Sequence, residues 1–411
     1  MDNRSYAGHV ARLRALDARM ASRRGTAILA VLVWAVVALV AVPGFVKLAE
    51  PTSDALFYEV QKLQVAGHSE AEATRLVFSA PIAREVAATE DEPDHVRRVL
   101  DPAWVEYSKR FYRRRWLVPA LAAATEPVVG DEPGRGLRVA SLLGYLFVAP
   151  ILFLLLRRRF PPLLSAGLAI VCTLAPPVYK WSLGMRVDSW GLQLEALALL
   201  AAVLVKDLGR RWLALWVVAI AALSLTRDAQ AILLPAVLWL LVVERRDRAA
   251  TRTNLTLLGT GIAAALPAFL LGGTPVRDNL AYVITGYNIP EDSSWNFVAA
   301  HYFDQLWRTV STDLTYPVDF SAPVLVLLYA GIAVAVAALV ALVARPSGGD
   351  PYFSLMKAAI PGCVLLLLLA NNPQAYRLEL VFVPIAAVGL AVLAERVQSS
   401  GWHSARAATL G

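Results

Sequence analysis

Ten stretches of this chain approach the length of apolar helix that a bilayer demands, and this fixes the architecture before any motif is considered. A helical span takes about 17 to 25 predominantly apolar residues. The stretches fall near 26–48, 138–156, 161–181, 190–205, 212–226, 229–243, 254–272, 322–344, 356–370 and 379–395. Composition agrees: of 411 residues, 57% are hydrophobic and 17% charged, where a soluble domain carries about 25% charge. Disordered, collagenous, coiled-coil and disulfide-stapled folds are excluded; Cys172 and Cys363 each sit inside an apolar run. The expected fold class is an all-α polytopic membrane protein with about ten transmembrane helices, forming a single membrane domain over residues 1–411.

The basic residues set the orientation. Residues 1–25 are an Arg-rich leader, and the first stretch behind it ends in Val42-Pro43-Gly44 with no small-residue cleavage site, so it reads as a signal anchor. Trp116 to Gly130 is also apolar, but it is short and contains Pro119, Glu126 and Pro127. It is predicted to be an interfacial or re-entrant helix. Ten crossings then gather 20 basic residues on the leader's side and leave only Lys180, Arg186, Arg227 and Arg377 in the short loops opposite. A further crossing at 116–130 would break the positive-inside rule repeatedly. Both termini are therefore expected in the cytoplasm of a bacterial-type plasma membrane, with long extracytoplasmic segments at 49–137 and 273–321. The net charge of +7 is explained by topology, so nucleic acid is not an expected partner.

The first long segment opens on Pro51-Thr52-Ser53-Asp54, followed by Leu56, Phe57, Val60 and Leu63 on one helical face with Glu59, Gln61 and Lys62 elsewhere. That pattern predicts an amphipathic helix on the membrane surface, ended by Gly67, and Ser69-x-x-Glu72 is a capping box opening the next helix. Asp54 is thus either a helix cap or a functional acid at the mouth of the first span. Farther on, the run Trp104 to Arg115 mixes aromatics with five basic residues and leads into Trp116-Leu117-Val118-Pro119. Such a mixture suits a lipid phosphate, because arginine grips phosphate with a fork and aromatics seat the backbone at headgroup level; it also suits a plain interfacial belt.

The short loops on the same side are unusually polar. One holds Arg186 and Asp188, with Glu195 two turns along the same helix face; another is Thr226-Arg227-Asp228; the last runs from Asn371 through Tyr376 and Arg377 to Glu379. Each charge alone could be a local cap or turn pair. Together they imply one hydrated cavity open on that side, since a carboxylate such as Glu195 within a span faces a polar partner. A carboxylate can take a proton from a hydroxyl while arginines hold a departing phosphate. In the second long segment, Trp295, Asn296, Tyr282 and Tyr287 suit the covering and hydrogen-bonding of a sugar and equally an ordered loop on a membrane, and His301 suits either a phosphate or acceptor contact or a structural hydrogen bond.

This arrangement resembles the GT-C superfamily of integral membrane glycosyltransferases, which use polyprenyl-phosphate-linked sugars. The likeness rests on Ser53-Asp54-Ala55-Leu56-Phe57-Tyr58, on Phe111-Tyr112-Arg113-Arg114-Arg115-Trp116-Leu117-Val118-Pro119, on Val187-Asp188-Ser189-Trp190 and on later arginines. It implies Asp54 as the base toward the acceptor hydroxyl and Asp188 as a second acid of the site. Arg113, Arg114, Arg115, Arg227 and Arg377 become candidates for the donor phosphate, and Tyr58, Asp228, Trp295, His301 and Tyr376 for other substrate contacts. The chain departs from some members in showing neither a large C-terminal soluble domain nor an obvious metal-binding acidic pair. No cofactor is expected, although Asp54 with Asp188 leaves a divalent metal open. The expected function is sugar transfer from a polyprenyl-phosphate donor to an envelope glycan or glycolipid, in contact with membrane lipids. The alternatives are a transporter or flippase of a lipid-linked or anionic substrate, which predicts repeats and broken helices at mid-membrane, and a non-catalytic assembly partner.

Overall fold

A computed structural model describes residues 15–48, 52–89, 98–183, 185–227, 230–315, 322–371, 377 and 379–410. Among them the secondary structure is helical throughout, with no strand. The first helix, α1 (Arg23–Leu48), leads to four short ones: α2 (Ser53–Val65), α3 (Glu70–Ser79), α4 (Pro81–Thr89) and α5 (Pro102–Lys109). Next come α6 (Leu117–Val129), α7 (Arg135–Leu146), α8 (Val148–Leu156), α9 (Pro162–Thr173), α10 (Pro176–Leu183), α11 (Asp188–Leu208), α12 (Leu213–Ser224), α13 (Gln230–Val243) and α14 (Arg248–Leu270). The chain closes with α15 (Val276–Ile284), α16 (Trp295–Thr315), α17 (Ala322–Ala344), α18 (Pro351–Ala370) and α19 (Val383–Leu410).

Every one of the ten expected spans falls on helix. Five are long and apolar enough to cross a bilayer outright: Arg23–Phe45, Arg135–Leu156, Arg248–Leu270, Pro351–Ala370 and Leu380–Gln398. The pair α9 and α10, bent by 57° at its break, would make a sixth if counted as one span. α11 is buried along most of its length at the centre of the bundle, packed by α7, α8, α12 and α18. Small residues let the helices approach closely, as bilayer packing requires. A Cβ at Gly389 of α19, for example, would overlap the Ala338 carbonyl of α17.

Two ends of the bundle carry separate ionic networks. At one, Arg158 and Arg159 reach Asp207 at 2.9 and 3.0 Å, Arg159 also binds Asp350 at 2.7 Å, and Lys206 meets Glu244 at 2.8 Å and Asn254 at 2.8 Å. These join the ends of α8, α11 and α13 to the starts of α14 and α18. The other end holds the charged residues of the short loops that carry Asp188, Arg227 and Arg377.

The stretch 116–130 forms α6, whose 13 residues extend about 20 Å at 1.5 Å per residue, short of a bilayer core of about 30 Å. Its first amide bonds Leu225 O at 3.1 Å, so it starts level with the end of α12. It then runs beside α2, with Val118 and Ala122 sharing a buried cluster with Ala55 and Tyr58.

The surface position expected for α2 is corrected. Ser69 does cap α3, accepting from Glu72 N at 3.3 Å, and Gly67 ends α2 with φ 103°. The polar side of α2, however, is covered rather than solvated. Lys62, 2% exposed, lies 2.8 Å from Glu59 and 3.0 Å from Glu126 of α6. Gln61 donates to Tyr112 O at 2.7 Å, and Glu59 accepts from Gly134 N at 2.5 Å. The apolar face, with Leu56, Phe57 and Val60, is buried against Ala73, Val77, Val86 and Trp104. α2 is therefore the core of a small helical assembly at this end of the bundle, and its charges are tertiary contacts rather than a solvated stripe.

Candidate active site

Four chain segments far apart in sequence deliver charges to one point. The start of α2 supplies Asp54, the start of α11 supplies Asp188, the turn after α12 supplies Arg227, and the segment between α18 and α19 supplies Arg377. Thr52 occupies the N-cap position of α2 without any side-chain cap bond. Asp54, one step inside the helix, turns away from the helix amides. Its Oδ1 accepts from Tyr112 Oη at 2.5 Å, and its Oδ2 meets Arg377 Nη2 at 2.6 Å. The cap reading of Asp54 is thereby replaced by a tertiary one.

Arg377 is the hub. Besides Asp54, its Nη2 lies 2.9 Å from Asp188 Oδ2, and its Nε donates to both Asp188 oxygens at 3.1 and 3.0 Å. Arg227 Nη1 completes the carboxylate at 2.6 Å from Asp188 Oδ1. The position is held from α7: Ser189 Oγ donates to Ser141 O at 2.9 Å, Trp190 Nε1 to Ala140 O at 2.7 Å, and Ser141 Oγ to Arg186 O at 2.9 Å. On α11, Gly191 sits one turn below Asp188, where a Cβ would come 3.2 Å from Arg227 Cδ. Its missing side chain is the space through which Arg227 reaches Asp188.

Of the Arg113–Arg115 run, one member joins this cluster. Arg115 Nη1 donates to Tyr58 Oη at 3.1 Å, and its guanidinium stands 5.3 Å from the Tyr112 ring. Arg114 instead packs beside Phe269, 5.4 Å from its ring, and against Gly273. Arg113 is exposed, with its carbonyl accepting from Trp116 Nε1. Three consecutive residues of the turn between α5 and α6 point in different directions, a separation that adjacency in sequence conceals. Trp295 and His301 stay apart from the cluster: Trp295 is exposed, and His301 Nδ1 is 2.9 Å from Phe297 O within α16 itself. Asp228 and Tyr376 lie outside the described residues.

Two members of the cluster are not among the candidates that sequence supplies. Tyr112 belongs to the aromatic-basic run, and its phenol proves to be a direct partner of Asp54. Arg186 is one of the loop charges; its Nε bonds Thr52 Oγ1 at 3.4 Å and its guanidinium lies 4.9 Å from the Trp181 ring. The signal for both is proximity in sequence to marked motifs, beside Arg113 and Asp188.

The electrostatics follow from this crowding. Burial alone would raise the Asp54 carboxyl, but Arg377, Arg186, the Tyr112 phenol and Arg115 together hold it well below the usual carboxylate range. Burial and the facing Asp54 carboxylate push the Tyr112 phenol well up, so it remains a donor. Arg115, Arg186, Arg227 and Arg377 face the carboxylates of Asp54 and Asp188, and the cations outnumber the acids gathered here. A site of this charge attracts an anion, and guanidiniums select one with paired oxygens. Among the described residues no three of His, Cys, Asp and Glu converge as a ligand set, and the two acids are joined through Arg377.

The sequence profile of the dolichyl-phosphate-mannose-protein mannosyltransferase family matches residues 116–271. That segment runs from α6 through α14 and carries Arg186, Asp188 and Arg227. No curated protein and no solved structure matches. Over residues 116–271 the chain is similar to this family of GT-C-type membrane glycosyltransferases, and the fold around that segment is all-α with helices long and apolar enough to cross a bilayer.

Proposed function

We propose that the chain transfers a sugar from a polyprenyl-phosphate donor to a hydroxyl of an envelope glycan or glycolipid, on the extracytoplasmic side of a bacterial-type plasma membrane. The observation that carries this reading is the convergence of four guanidiniums on two carboxylates, where Asp54 is bound at once by Arg377 and Tyr112. The excess positive charge suits the donor phosphate, and Asp54 suits the acceptor. In the reaction the acceptor oxygen forms a bond to the anomeric carbon while the bond from that carbon to the phosphate oxygen breaks. Its electron pair leaves on the polyprenyl phosphate, and the acceptor proton passes to Asp54. Attack from the side opposite the leaving phosphate inverts the anomeric centre.

Asp188 acts as a positioning residue, since both arginines that it holds would face the phosphate. General-base assistance of this kind supplies about 10²- to 10⁴-fold, and charge stabilisation of the leaving group contributes more. The family whose profile matches is named for a dolichyl-phosphate-linked donor, which is a polyprenyl phosphate. The polar cluster also gathers at one end of the bundle, where a lipid phosphate would lie, rather than at mid-membrane as a transporter would place it.

The test is mass-spectrometric comparison of envelope lipids and glycans from cells lacking the chain, complemented with wild type or Asp54→Asn at equal membrane levels. Restoration by wild type alone of a species heavier by one hexose or pentose is the expected result. Full restoration by Asp54→Asn removes Asp54 from the chemistry, and no change in any sugar-bearing species removes the transferase reading.

A further inference from the structure

Both oxygens of the proposed base are occupied in the resting chain. Tyr112 donates to Oδ1 and Arg377 to Oδ2, so an incoming acceptor hydroxyl meets a carboxylate already neutralised by a cation. Arg377 is the more divided partner, because it grips Asp188 through Nε as well as Nη2 and would keep that grip if Nη2 left Asp54. Arg186 is differently placed: among the described residues no carboxylate forms a close ion pair with it, Asp54 and Asp188 act on it only at longer range, and its polar contact is the long bond to Thr52. It is close enough to Arg377 for the two cations to repel each other.

We infer that the donor phosphate unmasks the base. It enters at Arg186, draws Arg377 Nη2 away from Asp54, and leaves Oδ2 open to the acceptor hydroxyl. The inference rests on the lipid-phosphate reading above and adds to it an order of events. Two oxygens of a phosphate match the parallel N–H groups of a guanidinium, so the exchange replaces one charge-assisted bond by another of the same kind. It also relieves the repulsion between Arg186 and Arg377, since the anion lies between them. Asp54 and the phosphate then compete for one guanidinium, and competition of this kind is reciprocal: whatever weakens the hold of Asp54 strengthens phosphate binding by the same factor. The acceptor is consequently bound in a productive state only after the donor.

The experiment measures binding of a short-chain polyprenyl phosphate to the full chain in lipid nanodiscs, for wild type, Asp54→Asn and Tyr112→Phe. Asp54→Asn removes the competitor and is expected to bind about tenfold more tightly, within the usual range of coupling between sites. Tyr112→Phe removes the other donor to the carboxylate, throws its charge more fully onto Arg377, and is expected to bind about threefold more weakly. Equal or weaker binding by Asp54→Asn, in protein that elutes from size exclusion as wild type does, overturns the exchange. If Asp54→Asn does not fold, the Tyr112→Phe result decides, and unchanged affinity there overturns it. Failure of every form to bind, wild type included, refutes the lipid-phosphate reading itself and the exchange with it.

Discussion

Replacing Lys62 by methionine tests whether the buried ion network beneath α2 holds the proposed base in place. Lys62 and Glu59 are 2% and 3% exposed, whereas Glu126 is 24% exposed. Removing the ammonium leaves Glu126 to water at little cost, as for any partly exposed pair. Glu59 keeps only its bond from Gly134 N and becomes a buried carboxylate without a counter-ion. Breaking a buried pair by removing one partner costs about 3–5 kcal/mol. The one retained amide bond places Lys62→Met toward the lower end, about 3 kcal/mol. Neutralising Glu59 at the same time removes the stranded charge, so Lys62→Met with Glu59→Gln should recover most of the loss and leave about 1 kcal/mol for the missing hydrogen bonds. The assay is the midpoint of heat-induced loss of the monodisperse size-exclusion peak for the two single variants and the double. Lys62→Met should be the least stable and the double variant close to wild type. Wild-type stability in Lys62→Met, or a double variant worse than both singles, refutes the reasoning.

Two further outcomes follow from the site. Gly191→Ala should stabilise α11 locally, since alanine is the better helix former by about 1 kcal/mol. It should nevertheless raise the donor KM about threefold to tenfold, because its Cβ would meet Arg227 Cδ at 3.2 Å and displace the guanidinium; an unchanged KM in a comparison of initial rates counts against a role for Arg227. The pH profile has a definite sign. In the free chain Arg377 is the strongest of the groups holding the Asp54 carboxyl below its usual range, and a protonated Asp54 cannot accept the acceptor proton. With the donor bound, Arg377 is drawn away and that hold weakens. The acid limb of kcat, which reports the bound complex, should therefore lie at higher pH than the acid limb of kcat/KM, which reports the free enzyme. A kcat acid limb that coincides with that of kcat/KM or lies below it, from initial rates carried to the lowest pH at which the protein stays folded, contradicts the exchange.

Much of the architecture is legible because a bilayer reads apolar length directly: each of the ten long stretches falls on helix. Asp54, Asp188, Arg227 and Arg377 are legible through their shared sidedness, although nothing in sequence shows that Asp54 and Arg377, 323 residues apart, touch. The misreading of α2 has a specific cause. Glu59, Gln61 and Lys62 form a polar stripe that looks solvated, and only the tertiary placement of α6 and Tyr112 shows that the stripe is covered. The Arg113–Arg115 run misleads in a similar way, because three neighbouring cations look equivalent until the turn between α5 and α6 sends Arg115 to Tyr58 and Arg114 to Phe269. Tyr112 is hidden by its company: in an aromatic-basic belt, one phenol bonded to a carboxylate looks like any other ring.

The ties at the far end of α11 give the bundle a mechanical division. Arg158 and Arg159 clamp Asp207, and Glu244 with Asn254 clamps Lys206, so this helix is a strut anchored at its base and Asp188 stands at its fixed tip. Asp54 stands on α2, which is fastened sideways to α6 through Lys62 and Glu126. The bridge from Arg377 to both aspartates is then the tie between the two assemblies, so one guanidinium sets the spacing of the proposed base from the tip of the strut.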